Sequence, residues 1–152
     1  MTFVGSRRCA IDQKGRIAIP AELRRAADRR KGGEWFVLMP GFEGCLMLLD
    51  REAWQRLEER LRENALGSAR GRAFQRAFLK DAHQVTVDSQ GRITIPPSLM
   101  GLAELGREAE LRGLIDRIEV WAPDRFDRAI APFTPEDLAA MAEDALGPRR
   151  GD

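Results

Sequence analysis

Two acid–base pairs with one spacing, Asp12 with Arg16 and Asp88 with Arg92, are the strongest chemical signal in this sequence. A carboxylate four residues before a guanidinium can perform acid–base chemistry, or it can fix a tight turn through a charge-assisted hydrogen bond. A glycine directly before each arginine is free to take a positive φ and favours the turn. The residues predicted to fix the two turns are Asp12, Gly15, Asp88 and Gly91.

Other residues that perform catalysis are scarce. The sequence contains one histidine, His83, and no tyrosine, and it lacks the HExxH, CxxC, GxSxG and phosphate-loop patterns. Hydrolytic catalysis needs a nucleophile, a base and a group that orients the base. We therefore expect no enzyme, no cofactor and no metal site. Cys9 and Cys45 lie in apolar, strand-like surroundings and are interpreted as reduced, small core residues.

The two turns belong to an internal repeat, and repeats decide architecture. Residues 11–20 and 87–96 are identical at six of ten positions, and residues 46–48 match residues 118–120 further along. Each unit has about 45 residues, too few to bury a sufficient core alone. We expect the two units to share one core around a pseudo-twofold axis rather than to fold separately.

Apolar runs and turn residues predict a ββαββ order in each unit. In the first, a hairpin turn is followed by a helix over residues 21–30 that Gly32 and Gly33 stop, and then by a second hairpin. Asp50 and Asp124 are predicted N-caps of the closing helices. The expected domains are a first unit over 5–53, a helical linker over 54–81, a second unit over 82–128 and a C-terminal helix over 134–147.

Charge is distributed unevenly along the chain, although the net charge is only +1. Residues 1–33 contain nine basic and three acidic residues, whereas the stretch from residue 134 contains two basic and five acidic ones. Such asymmetry suits a protein with one basic face for a polyanion. No run is apolar enough to span a membrane, and with no export signal we expect a cytoplasmic protein.

The repeated motif Asp-x-x-Gly-Arg-Ile-x-Ile-Pro resembles the SpoVT/AbrB domain. Two copies of it joined by a helical linker resemble the MraZ family. The opening Phe3-Val4-Gly5 and the segment Ile118-Glu119-Val120-Trp121 add to the likeness. The resemblance implies an α+β fold of two tandem ββαββ units, packed as a pseudo-twofold swapped-hairpin β-barrel with linker and C-terminal helices.

The resemblance also implies a function. It predicts a cytoplasmic, nucleoid-associated transcriptional regulator that represses its own cell-division and cell-wall operon by binding double-stranded DNA at short tandem promoter repeats. The family assembles as homo-oligomeric rings, so an octamer or a dodecamer is expected, with no membrane partner. Ser89 and Gln90 stand where the first turn has Gln13 and Lys14, which leaves the second turn with less positive charge.

DNA binding needs Lys and Arg for phosphates and a few side chains at a thin tip for base edges. Gln13, Lys14 and Gln90 are the candidates for base contacts. Arg16 and Arg92 can grip phosphate or hold their turns, and the sequence leaves both roles open. The complete predicted DNA-binding set is Arg7, Arg8, Gln13, Lys14, Arg16, Arg24, Gln90 and Arg92.

Two other readings compete with this one. An antitoxin-like protein of the same fold would neutralise a partner and regulate its own gene, and a long disordered C-terminal arm would favour it. A double-psi-barrel module of an enzyme would also combine two ββαβ halves, but it needs a catalytic constellation that this sequence lacks.

Overall fold

The computed structural model of the protein describes residues 2–24, 34–64 and 66–148, which form an α+β fold with an antiparallel sheet. The strands are β1 Phe3–Ala10, β2 Arg16–Ala18, β3 Trp35–Pro40, β4 Leu46–Leu49, β5 His83–Thr86, β6 Arg92–Thr94, β7 Glu108–Ile115 and β8 Ile118–Trp121. The helices are α1 Ala21–Arg24, α2 Arg51–Asn64, α3 Ala69–Leu79, α4 Pro97–Leu102, α5 Pro123–Ile130 and α6 Pro135–Leu146.

The large sheet has six strands in the order β1-β7-β8-β4-β3-β5, and it interleaves the two repeats. β1 pairs along its whole length with β7 of the second repeat, and β5 pairs with β3 of the first. When each strand is exchanged for its counterpart in the other repeat, the order reads the same from the opposite end. A unit of about 45 residues cannot easily bury a core alone, and this exchange of strands provides a shared one.

A separate two-stranded ribbon consists of β2 and β6, the strands that directly follow the two turns. Its register pairs Ile17 with Ile93, and both side chains are buried. Because successive strand residues point to opposite faces, the neighbours of these isoleucines face outward. That outer face consists of Arg16, Ala18, Arg92 and Thr94.

The main hydrophobic core takes side chains from both repeats and from the ribbon. Its members include Ile17, Phe36, Leu38, Leu46, Leu48, Ile93, Leu111, Ile118 and Val120. The alternate residues of β3 and β4 form a second cluster on the opposite face of the sheet, packed against α2 and α3. Burial on both faces explains why these two strands read as continuous apolar runs rather than as alternating ones.

The two helix starts that were predicted from aspartates turn out differently. Asp50 does cap α2, because its Oδ1 accepts a hydrogen bond of 2.9 Å from the backbone N–H of Ala53. The cap predicted at Asp124 is wrong. α5 begins at Pro123, two residues earlier than a cap at Asp124 would place it, and Ala122 occupies the cap position without a side-chain hydrogen bond. Proline is pre-organised for the first helical position, so it sets the start without a polar cap.

The first predicted hairpin is shorter than the sequence suggests. β1 gives its hydrogen bonds to β7, while an isolated bridge between Ile11 and Ile17 joins it to the ribbon. The N–H of Asp12 also donates to the carbonyl of Arg16 at 3.0 Å. The turn is therefore closed locally, but its two flanking strands belong to different sheets.

The remaining helices largely follow the sequence pattern. Ser68 caps α3, and Thr134 forms a capping box with Asp137 at the start of α6. Of the helix predicted over 21–30 the structure describes the first turn, α1, and residues 25–33 lie outside the described residues. Within the described ranges no helix combines the length and apolarity needed to cross a membrane.

Candidate nucleic-acid interface

The first turn, residues 12–16, is built around the carboxylate of Asp12. Its Oδ1 accepts hydrogen bonds from the backbone N–H groups of Lys14 and Arg16, both at 2.9 Å. Its Oδ2 accepts from the Nε of Arg16 at 2.7 Å. The hydrogen bond from the backbone N–H of Arg16 is the main cause that holds the pKa of Asp12 below its ordinary value.

The second turn, residues 88–92, repeats this arrangement almost atom for atom. The Oδ1 of Asp88 accepts from the backbone N–H groups of Gln90 and Arg92 at 2.9 Å, and its Oδ2 accepts from the Nε of Arg92 at 3.0 Å. The backbone N–H of Arg92 is likewise the main cause of a lowered pKa at Asp88. The repeated sequence motif therefore specifies the same turn geometry in both repeats.

Arg16 and Arg92 have capacity beyond holding their turns. A guanidinium carries five N–H donors, and the ion pair with aspartate uses the one on Nε in each case. The side chains are 33% and 26% exposed, so the terminal nitrogens can reach solvent. Structural support and contact with a ligand are therefore compatible roles for the same arginine.

Both turn glycines have a positive φ, +76° at Gly15 and +78° at Gly91. The space around them differs, so a side chain at each position would meet a different obstacle. A Cβ on Gly15 would lie 2.9 Å from the carbonyl oxygen of Ile95, an immovable backbone atom. A Cβ on Gly91 would lie 2.7 Å from the Cζ of Arg24, the end of a long side chain. Both positions exclude a side chain, but only the second contact can relax by moving a side chain.

The ribbon fixes the distance between the two turns. The N–H of Ile19 donates to the carbonyl of Gly91 at 2.9 Å, and the N–H of Ile95 donates to that of Gly15 at 2.8 Å. Gly15 and Gly91 therefore lie at opposite ends of the ladder, four residues apart. At ~3.3 Å per strand residue the separation is about 13 Å.

Arg24 lies beside the second turn, although the sequence analysis grouped it with the first. Its Nε donates to the carbonyl of Ile19 at 2.9 Å, and Ile19 is the ladder partner of Gly91. The guanidinium therefore covers Gly91, which is buried, while Gly15 is half-buried. Because the ribbon is antiparallel, the end of β2 lies next to the second turn. A residue that follows β2 in the first repeat therefore covers the turn of the second repeat.

Arg7 and Arg8 are adjacent on β1 and point to opposite faces of the strand. Arg7 forms an ion pair of 3.0 Å with Glu22 of α1, and Arg8 forms one of 3.6 Å with Glu110 of β7. Both side chains stay more than half exposed. The structure therefore does not bring these two arginines onto one common face, as the basic N-terminal stretch had suggested.

Thr94 shares the outer face of the ribbon with Arg16 and Arg92, and the sequence analysis did not include it among the candidates. It is exposed on the outer face of the ribbon, directly across from Arg16, and the matching position on the other strand is Ala18. The signal was present in the sequence. The alternation of Arg92, Ile93 and Thr94 places the threonine on the same face as the arginine.

Reactive side chains are not concentrated at this surface. Burial is the main cause that raises the pKa of the Cys45 thiol to about 12, and burial also raises that of Cys9. A protonated thiol is a poor nucleophile. Cys45 is buried as predicted, whereas Cys9 is only partly buried against the core. Among the described residues no group of three or more His, Cys, Asp or Glu side chains could hold a metal ion.

Comparison with known proteins adds an independent finding. The family model described as "MraZ protein, putative antitoxin-like" matches twice, over residues 2–77 and 78–148. A Heliobacterium modesticaldum protein named "Transcriptional regulator MraZ" is 40% identical over 126 residues, which cover 83% of this chain and 85% of that protein. Proteins of the same name from Roseiflexus sp. strain RS-1 and Ligilactobacillus salivarius are 39% and 36% identical, covering 85% and 95% of this chain and 87% and 96% of theirs.

Proposed function

This chain belongs to the MraZ family, and from that membership and the paired turns we propose that it is a sequence-specific DNA-binding transcriptional regulator. The family assignment also agrees with the sequence-based expectation that the chain is not an enzyme. The proposed target is a set of short tandem repeats in the promoter of its own cell-division and cell-wall operon, which the protein represses. Its proposed location is the cytoplasm, in association with the nucleoid.

One observation carries this proposal: two aspartate-anchored turns of matching geometry lie at the two ends of a single outward-facing ribbon. The major groove of B-DNA is ~12 Å wide and admits a two-stranded β-ribbon. The estimated spacing of the turns is comparable with that width. The ribbon is therefore a suitable size to present both tips to one stretch of duplex.

The side chains at the tips suit the two kinds of contact that DNA recognition requires. Lys14 and Gln13 are exposed at the first turn and Gln90 at the second, so all three are proposed to contact base edges. Arg16 and Arg92 are proposed to bind phosphates with their terminal nitrogens while they hold their turns. Phosphate contacts dominate affinity and make it salt-dependent, whereas base contacts provide the specificity.

A single pair of turns offers few cations, which agrees with the near-neutral net charge. We propose that a homo-oligomeric ring places several pairs of turns on successive promoter boxes. Linked sites of this kind gain avidity of ~10²–10⁴ without any new type of contact. The proposed chain fold within the ring is the pseudo-twofold swapped-hairpin barrel, which the interleaved strand order supports.

The decisive experiment measures binding of the full chain to its own promoter fragment by gel shift and fluorescence anisotropy. We expect Lys14→Ala combined with Arg16→Ala to weaken binding strongly while the protein stays folded. Arg128→Ala is the matched control, because Arg128 is exposed on α5, away from the turns. Unchanged promoter occupancy in the folded double variant would contradict the proposal. Altering the spacing of the boxes without any effect on affinity would contradict the avidity part alone.

A second candidate function is supported by the antitoxin-like description of the matching family model. In that case the chain would neutralise a protein partner, and DNA binding would serve autoregulation. Specific co-purification with a small basic toxin, whose activity the chain suppresses, would support this alternative.

A further inference from the structure

α6 is a well-formed helix whose residues are not buried by the rest of the described chain. Thr134 and Asp137 form a capping box at its start, and all its residues are exposed except the half-buried Ala142. Two of its apolar side chains, Leu138 and Met141, are 58% and 45% exposed. Isolated helices shorter than ~12–15 residues are marginal in water. The exposed apolar side chains therefore indicate a packing partner outside the chain.

The two faces of α6 differ in chemistry. At helical spacing an apolar stripe forms from Leu138, Met141, Ala142 and Ala145. The charged residues flank this stripe or lie opposite to it, and all of them are acidic: Glu136, Asp137, Glu143 and Asp144. A partner for this helix therefore needs an apolar groove with basic surroundings.

The chain carries such a groove between α2 and α3, with a volume of about 620 Å³. Its apolar lining includes Leu57, Leu61 and a stack of three phenylalanines. Phe78 stacks on Phe74 at 5.1 Å and on Phe42 at 6.3 Å between ring centroids. Phe74 and Phe42 are 53% and 59% exposed, so the groove is open to a partner.

The charge around this α2–α3 groove is opposite to that of α6. Arg56, Arg60 and Arg117 line it together with one acid, Asp116. α3 adds three more arginines and contains no acidic residue, whereas the four arginines and four glutamates of α2 balance, so the positive field comes from the α3 side. Arg56 and Arg117 already have acidic partners in their own chain, so the attraction acts through the net field rather than through new ion pairs.

The corresponding groove beside α5 is a poorer match for the same helix. It is larger, about 880 Å³, and its lining includes Trp121 and Phe133. Three carboxylates (Glu43, Glu104 and Glu119) and two arginines (Arg125 and Arg128) line it, so its net charge of −1 opposes an acidic helix. Charge therefore distinguishes two grooves of similar apolar character.

We propose that α6 of one copy of this chain docks in the α2–α3 groove of a second copy. The lengths agree, because α6 with 12 residues is ~18 Å long and α3 with 11 residues is ~16 Å long. Helix-in-groove docking is a recurrent mode of recognition. Since helix and groove are different surfaces, the contact is heterologous and closes into a ring when the rotation permits. This inference rests on the proposed homo-oligomer, but it does not depend on DNA binding.

The first test measures the mass of the full chain without DNA, by light scattering and sedimentation over a range of concentrations. We expect Leu138→Gln combined with Met141→Gln to weaken self-association ~10-fold or more, because both side chains lie at the centre of the contact. The matched control is Ala139→Gln combined with Ala140→Gln, which places the same residues outside the apolar stripe. Phe74→Gln on the groove side should reproduce the effect. Equal assembly of the stripe variant and the control would overturn the proposal.

The second test locates the contact directly. A photo-reactive benzophenone side chain replaces Met141 in isotopically heavy chains, which are mixed with light chains and irradiated. We expect heavy–light cross-links to peptides of α2 and α3. Cross-links confined to one chain, or cross-links to other surfaces, would overturn the proposal.

The DNA-binding assay separates this inference from the proposed function. If the stripe variant assembles normally, the docking proposal fails while the effect of Lys14→Ala with Arg16→Ala still decides DNA binding. If the stripe variant dissociates, it should bind a single promoter box like a protomer and lose the gain from tandem boxes.

Discussion

The first and second turns share a scaffold and differ in the side chains that they present. In both, an aspartate accepts two backbone hydrogen bonds of 2.9 Å and pairs with the Nε of an arginine. The first turn then adds Lys14 from its own loop, whereas the second has Gln90 there and is covered by Arg24 from the first repeat. The scaffold of each turn is therefore specified locally, whereas the charge at its tip also depends on tertiary packing.

The largest effect is expected from the arginines that the two scaffolds share. Arg16→Ala and Arg92→Ala should each weaken promoter binding by roughly 10- to 100-fold, because each removes a charge-assisted hydrogen bond to phosphate worth ~1.5–3 kcal/mol. Since the scaffolds match, the two losses should be similar. Anisotropy titrations at one fixed salt concentration provide the measurement, with Arg128→Ala as the control. A loss confined to one of the two variants would show that only one turn contacts DNA.

Alanine substitution of the two turn glycines should lower the free energy of unfolding by different amounts. Gly15→Ala forces a Cβ against the Ile95 carbonyl at positive φ and should cost about 2 kcal/mol or more of unfolding free energy. Gly91→Ala should cost about 1 kcal/mol, because the Arg24 side chain can move aside. Urea unfolding measures both. Gly101→Ala is the control, since a Cβ there meets nothing within 4 Å and alanine favours a helix. Equal losses of unfolding free energy at Gly15 and Gly91 would argue against the packing of the Arg24 side chain on Gly91.

This difference marks the limit of what the sequence could predict. The turns followed from Asp12 and Gly15 and their repeat, because every hydrogen bond in them joins residues at most four positions apart. The position of Arg24 did not, because it depends on the pairing of Ile19 with Gly91, far apart in sequence. The pairing of β1 with β7 escaped prediction for the same reason.

The misplaced start of α5 has a local explanation. Asp124 is a favourable cap residue by type, but Pro123 directly before it is better suited to the first helical position. Where two local signals compete, the residue type alone does not decide the boundary. Asp50 met no such competitor, and its cap was predicted correctly.

The charges that distinguish the tips should determine the salt dependence of DNA binding. A lysine at a base edge still displaces counterions from the duplex, so Lys14→Gln should reduce the slope of log affinity against log salt by up to ~0.9, and Gln90→Lys should increase it by a similar amount. Arg24→Ala should reduce the slope as Lys14→Gln does, although Arg24 belongs to the first repeat. Titrations at four salt concentrations give the slopes. An unchanged slope for Arg24→Ala would assign that side chain a purely structural role.

The smallest effect is a pH dependence that the two turns should share. The pKa values of Asp12 and Asp88 are lowered in the folded chain, mainly by the backbone N–H groups of Arg16 and Arg92. A lowered folded-state pKa stabilises the fold above the unfolded value of ~3.9, and this contribution disappears as the pH falls through the folded-state pKa.

Asp12→Asn and Asp88→Asn keep an oxygen for the backbone N–H groups but lose the charge. Each variant should therefore unfold slightly more easily than the parent at pH 7, and the difference should disappear as the pH falls through the lowered folded-state pKa. Urea midpoints from pH 7 to pH 2.5 measure this, and carboxyl NMR titration of the parent gives the two pKa values directly. Because the scaffolds match, both carboxyls should titrate below the ordinary range. An ordinary pKa at only one of them would show that the two turns are held differently in solution, and the equivalence on which the comparison depends would not hold.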